Sequence, residues 1–104
     1  MKLLTNKIIE DFEKQGLTGE LPDSEKKVIA KYFFPIGSTI WYALEYNPKE
    51  NEFFGYIVKS GHHELGYFEL EELEYVTIDG LSVERDLDWE SNTTLEEVKR
   101  GDKE

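Results

Sequence analysis

No cysteine occurs in the 104 residues, which removes disulfides, thiolate nucleophiles and every cysteine-based zinc site together. Long hydrophobic runs are missing too, and nothing approaches the roughly 18 apolar residues of a membrane span. The opening Met1-Lys2-Leu3-Leu4-Thr5-Asn6-Lys7-Ile8-Ile9-Glu10-Asp11 has only paired apolar residues and meets acids at once, so it lacks the h-region of a signal peptide. Positive charge is scarce: 12 Lys/Arg stand against 23 Asp/Glu, for a net charge of -11. Such a chain is repelled by anionic lipid and by phosphate backbones, which argues against membrane binding and direct nucleic-acid binding. Absent as well are a P-loop, Gly-x-Gly-x-x-Gly, Gly-x-Ser-x-Gly, His-Glu-x-x-His and a calcium loop, so no motif for an enzyme or a cofactor emerges. A reducing cytoplasm is the expected setting, and no cofactor is expected.

What is present points to one α+β domain over residues 1–104, since two independent cores would each fall below a comfortable folding length. The 2 Trp, 6 Tyr and 6 Phe compensate for a modest apolar content, each large ring burying roughly 150–250 Å². Charge is lopsided: residues 1–63 carry 8 Lys/Arg and 9 Asp/Glu, while residues 64–104 carry 4 and 14. A one-signed field confined to part of a chain steers encounter with an oppositely charged partner.

Local patterns set the elements. Thr5 caps a helix whose Ile8, Ile9 and Phe12 share a face and which Gly16 ends. Gly19, Pro22, Asp23 and Ser24 mark a loop. From Lys26 the period becomes two, placing Val28, Ala30, Tyr32 and Phe34 on one side of a strand. Strands follow over Ile40 to Tyr46, Phe53 to Lys59 and Leu65 to Phe68, with links short enough to require an antiparallel meander. Gly55 inside the third strand marks a bulge or a bulky facing neighbour. Leu70, Leu73 and Val76, spaced by three, suit a helix of about two turns, and Asp79-Gly80 a turn. Val83 to Trp89 reads as an edge strand or extended arm. Thr94-Leu95-Glu96-Glu97 is a capping box opening a final short helix, with Lys99, Arg100 and Gly101 at its end and a frayed tail over 101–104. The expected fold is therefore an antiparallel sheet of about four or five strands, with short helices at the N-terminus, after the fourth strand and near the C-terminus.

Four blocks occur in order along the chain: Trp41-Tyr42-Ala43-Leu44-Glu45; Phe53-Phe54-Gly55-Tyr56-Ile57; Glu64-Leu65-Gly66-Tyr67-Phe68 with Leu70, Glu72, Leu73 and Glu74; and Val83-Glu84-Arg85-Asp86. Together with Met1-Lys2-Leu3-Leu4-Thr5 they resemble the bacterial family catalogued as domain of unknown function 2958, over nearly all of the chain as far as Trp89. Two departures stand out. Family members often carry Ser just after the Tyr-Phe pair, where this chain has Glu69, which leaves the cap of the middle helix unassigned; and Leu17 to Glu25 is a variable segment. The resemblance implies no activity. It implies a kinship with small proteins carried on plasmids, phages and integrative elements, and hence an accessory role.

The candidate residues fall into two sets. Glu71, Glu72, Glu74, Glu84, Asp86, Asp88 and Glu90 belong to a stretch, Glu64 to Glu90, with 10 acids and one Arg. It is either a solvated face or an acidic patch for a basic protein partner, including a nucleic-acid-binding one. If residues 84 to 90 are extended, same-side carboxylates would repeat every 6.6 Å or so, roughly the spacing of phosphates. The second set is Glu45, His63 and Arg85, polar groups for a small-ligand pocket or minor enzyme over the aromatic sheet. Arg85 is alternatively an ion-pair partner holding the edge segment. His62-His63-Glu64 lacks the third ligand that even a catalytic metal site needs, and reads first as a polar hairpin tip. A homodimer burying an aromatic sheet face is a third possibility. The preferred reading is a non-enzymatic interaction protein using the acidic segment.

Overall fold

The computed structural model describes residues 1–101; residues 102–104, most of the expected frayed tail, lie outside the described residues. The elements in order are α1 (Asn6–Gln15), β1 (Ala30–Phe33), β2 (Ile40–Asn47), β3 (Glu52–Lys59), β4 (His62–Glu69), α2 (Leu70–Tyr75), β5 (Thr77–Ile78), β6 (Leu81–Ser82), β7 (Glu84–Arg85) and α3 (Leu95–Lys99). Five strands make one antiparallel sheet in the order β4-β3-β2-β1-β7, and β5 and β6 pair as a separate hairpin. The α+β class, the meander and the three helix positions are those the sequence predicts.

The caps are where the residue types place them. Thr5 Oγ1 accepts the Ile8 N–H at 3.2 Å, and Gly16, at φ 68°, donates its N–H to the Phe12 carbonyl. Thr94 and Glu97 exchange the two bonds of a capping box, at 3.2 and 3.0 Å. At Glu69, where Ser is absent, α2 still starts, because the Glu72 carboxylate accepts the Glu69 N–H at 3.3 Å.

A bulge decides which residues meet the core. Ala43 pairs with Gly55 and Glu45 with Phe54, so Leu44 is an extra residue on β2. Without it Glu45 would point to the α1 side of the sheet. With it Tyr46 takes that side, its ring 5.0 Å from Phe53 and 6.0 Å from Phe12. Gly55 faces this bulge: a Cβ there would collide with the Tyr42 carbonyl oxygen and stand 3.0 Å from Ala43 Cα. The glycine thus marks a bulge on the facing strand, one of its two expected meanings.

Both faces of the sheet carry buried side chains. On the α1 side Leu3, Phe12, Tyr32, Phe53, Phe68 and Leu73 pack together beneath the N-terminal segment, α1 and α2. The Tyr32 hydroxyl, buried there, donates to the Leu3 carbonyl at 2.7 Å, and burial pushes its phenol well above the ordinary value. On the other side Val28, Tyr42, Leu44, Tyr56, Leu95 and Val98 form a second cluster under α3 and Trp89. The final segment therefore covers much of the sheet face that α1 and α2 do not reach.

Two strands are shorter than the sequence predicts. Ala30, Tyr32 and Phe34 share a face, but Val28 packs on the opposite one, because the chain before Ala30 leaves the ladder for the C-terminal segment. Val28 N–H donates to the Thr93 carbonyl at 2.7 Å and Leu95 N–H to the Lys26 carbonyl at 2.8 Å. The expected arm from Val83 to Trp89 is extended only through Arg85, where β7 pairs with Tyr32 and Phe33. Asp86 then turns the chain: its carboxylate accepts the Asp88 N–H at 3.0 Å and its carbonyl the Trp89 N–H at 3.3 Å.

Candidate interaction surface

The turn at Asp86 separates the acidic candidates into groups of different standing. Glu84, Asp86, Asp88 and Glu90 do not form a straight ladder, so the phosphate-like repeat has no extended segment to rest on. Glu84 is half-buried opposite Phe33. Asp86 lies 3.7 Å from the Lys31 ammonium, while Asp88 and Glu90 are exposed beyond the turn.

Lys31 is the residue sequence reasoning missed here. It is buried, with its ammonium 5.9 Å from the Tyr42 ring centre and 5.6 Å from that of Trp89. The Trp89 indole N–H donates to the Val28 carbonyl at 2.8 Å, fixing that lid. Strand alternation places Lys31 opposite Tyr32 and Ala30, a face without α1, but nothing local announces that Trp89 returns to cover it.

Glu71, Glu72 and Glu74 do come together, on α2, and all three are exposed. Among the described residues none is paired with a cation, and only Glu72 is engaged locally, in the cap. The helix is held by Leu73, buried, and Leu70, half-buried against the α1-side cluster. Val76, expected on the same stripe, lies past the helix end in extended conformation (φ -70°, ψ 115°) and is exposed. The β5–β6 hairpin follows, turning through Asp79 and Gly80 at φ 53° and 80°, the positive pair that a two-residue link demands. From Glu74 to Ser82 every residue is exposed. Tyr75 at 79% and Ile78 at 53%, with Val76 and Leu81, present apolar surface among Glu71, Glu74 and Asp79. Two local signals point to this: Tyr75 and Ile78 lie off the Leu70-Leu73 stripe, and Asp79-Gly80 is a hairpin turn with apolar residues on both sides.

Glu45, His63 and Arg85 are not brought together. The bulge turns Glu45 away from the α1-side core, and its carboxylate accepts from the Thr18 N–H at 2.8 Å and the Thr18 hydroxyl at 2.6 Å. It borders a depression of about 390 Å³ with Phe12, Tyr46, Phe54 and Tyr67. His63 lines a different one, about 830 Å³, with Tyr42, Tyr56, Val98 and Lys99. Arg85 lines neither. Its guanidinium donates to the Lys2 carbonyl at 3.1 Å, so it ties the sheet edge to the N-terminal segment rather than pairing with a carboxylate. Among the described residues no group of three or more His, Cys, Asp or Glu is placed to hold a metal ion, and no helix is long and apolar enough to cross a membrane.

No curated protein matches the chain, and no solved structure does. A family model does match, over residues 3–101, and its family is described as protein of unknown function, DUF2958. With the match running through α1, the sheet, the acidic hairpin and α3, the chain belongs to the DUF2958 family.

Proposed function

We propose that this protein is a non-enzymatic accessory factor that binds a basic protein surface through α2 and the β5–β6 hairpin. One observation carries the reading: an unbroken exposed stretch, Glu74 to Ser82, in which Tyr75, Val76, Ile78 and Leu81 stand among carboxylates. Apolar side chains in solvent add nothing to folding, and aromatic residues at the centre of a patch are the usual anchors of protein interfaces. The surrounding carboxylates supply the steering and the choice of partner. A basic surface that suits this patch is one a nucleic acid would otherwise occupy, so DNA competes for it. A cytoplasmic setting fits the cysteine-free composition, and action on behalf of a mobile element is the context the family resemblance suggests.

The test is capture of partners by the tagged protein from bacterial lysate at low and high salt, with and without added DNA. The expected partner is a basic protein that is retained at low salt, released by salt or DNA, and lost by both Glu71→Lys/Glu74→Lys and Tyr75→Ser/Ile78→Ser. Capture that both double variants leave intact would overturn the assignment to this surface.

A further inference from the structure

We propose that β4 is a self-association edge, pairing antiparallel with β4 of a second copy about a twofold axis at Gly66. β4 is the outermost strand of the sheet, and unlike β7 at the other end it is eight residues long. An uncovered strand of this length offers a row of unused N–H and C=O groups. Which residues own them follows from the β3–β4 link. Ser60 and Gly61, at φ 49° and 85°, form a two-residue turn, so Lys59 and His62 are a hydrogen-bonded closing pair. Bonding alternates from there. His62, Glu64, Gly66 and Phe68 use their backbone groups toward β3, and His63, Leu65 and Tyr67 direct theirs outward, whereas the Glu69 N–H is already taken by the Glu72 carboxylate in the cap of α2.

Side chains alternate in the same way. Phe68 lies in the α1-side cluster, whereas Tyr67 contacts Phe54 at 4.9 Å and His63 contacts Tyr56 at 5.8 Å on the α3 side. A twofold antiparallel pairing has its axis perpendicular to the sheet, so each face continues into the same face of the second copy. Only partners of the same parity can then stand opposite one another. With the axis at Gly66, Leu65 stands opposite Tyr67 of the second copy and exchanges both backbone bonds with it, while His63 stands opposite Glu69 of the second copy and meets it through its side chain, since the Glu69 N–H serves the cap of α2; each pair occurs twice.

The pairing is complementary as well as permitted. Leu65 and Tyr67, 42% and 69% exposed, cover one another on the α3 side. On the same side, His63 offers a hydrogen-bonding ring to the Glu69 carboxylate of the second copy. Gly66 meets its own copy in a pair that makes no backbone bonds, where Cα atoms approach to about 4.5 Å. Moving the axis to Leu65 would set Glu69 opposite Gly61, beyond the end of the strand, and lose both complementary pairs. The pairing meets α2 only at its cap, Glu69, and leaves Glu71, Glu74, Tyr75 and the β5–β6 hairpin to the proposed partner surface.

Because the chain has no cysteine, a single one reports the register directly. The nearest atom to a Cβ added at Gly66 is Ile57 Cδ1, at 3.7 Å, an ordinary contact, so Gly66→Cys is sterically tolerated. Mild oxidation of that variant should give a covalent dimer at least tenfold faster than Lys59→Cys, which lies away from the axis. Light scattering on the unaltered protein should give twice the chain mass, and Leu65→Lys should raise the dissociation constant at least tenfold. A monomer up to millimolar concentration would overturn the proposal, as would equal cross-linking rates or a dimer unaffected by Leu65→Lys.

Discussion

At the centre of the sheet, β2 and β3 bury Tyr42, Ala43, Leu44, Phe53 and Tyr56; a short distance along the same chain, Tyr75, Val76, Ile78 and Leu81 stand in solvent. Both regions spend apolar side chains, but only the first spends them on folding. The first is also surrounded by structure that depends on it, whereas the second follows a helix anchored by Leu70 and Leu73 alone. The difference is that folding energy accounts for the first placement and leaves the second unexplained. A chain with few apolar residues gains nothing in stability by exposing four of them in nine positions.

The contrast can be broken hardest at Phe53. It is 0% exposed and its ring lies 5.5 Å from Tyr32, 5.0 Å from Tyr46 and 5.1 Å from Phe68. Phe53→Ala should cost about 3–5 kcal/mol in urea unfolding, a large part of the stability of a domain this size. Next comes Gly55→Ala, which adds one methyl group against the Tyr42 carbonyl and so attacks the bulge. About 3 kcal/mol is expected, and since the bulge aims Tyr46, the altered protein should also lose Tyr46 contacts in NMR spectra. Little change on adding this methyl would mean that β2 and β3 can pair without the bulge.

A smaller effect sharpens the account of how the second face is closed. Asp23 accepts a hydrogen bond from Lys99 at 2.8 Å, and that bond chiefly holds its carboxyl below the usual range. The folded value is thus lower than the unfolded one. Its contribution is complete above the ordinary carboxylate range and is lost as pH falls through the lowered folded value. The pair is solvent-exposed, so Asp23→Asn should cost at most about 1 kcal/mol near neutral pH and nothing at the acid end of a pH series of melts. An equal cost at both ends would assign the effect to something other than the charge.

Much of the fold was legible because its signals are local. Thr5 and Gly16, the Thr94–Glu97 box and the strand periods each need only a few neighbouring residues. What escaped depends on residues distant in sequence. Val28 changes face because Thr93 and Leu95 bond to its neighbourhood, and Lys31 is buried because Trp89 returns across the sheet. Asp86 offered a local clue, since Asp often turns a chain, but alternation of bulk and charge from Val83 to Trp89 favoured a strand. The acidic surface was legible as composition from Glu64 onward. Its division into an exposed α2–hairpin part and a turned-in part around Glu84 and Asp86 required the topology.

The most direct measurement is a thermal melt of Tyr75→Ser/Ile78→Ser beside the unaltered protein, followed by the partner-capture comparison on the same samples. The account predicts stability unchanged within about 0.5 kcal/mol, as for substitutions at exposed positions, together with loss of the salt-sensitive partner. A marked fall in melting temperature would contradict it, because Tyr75 and Ile78 would then belong to the core and would not be free to serve as a binding surface.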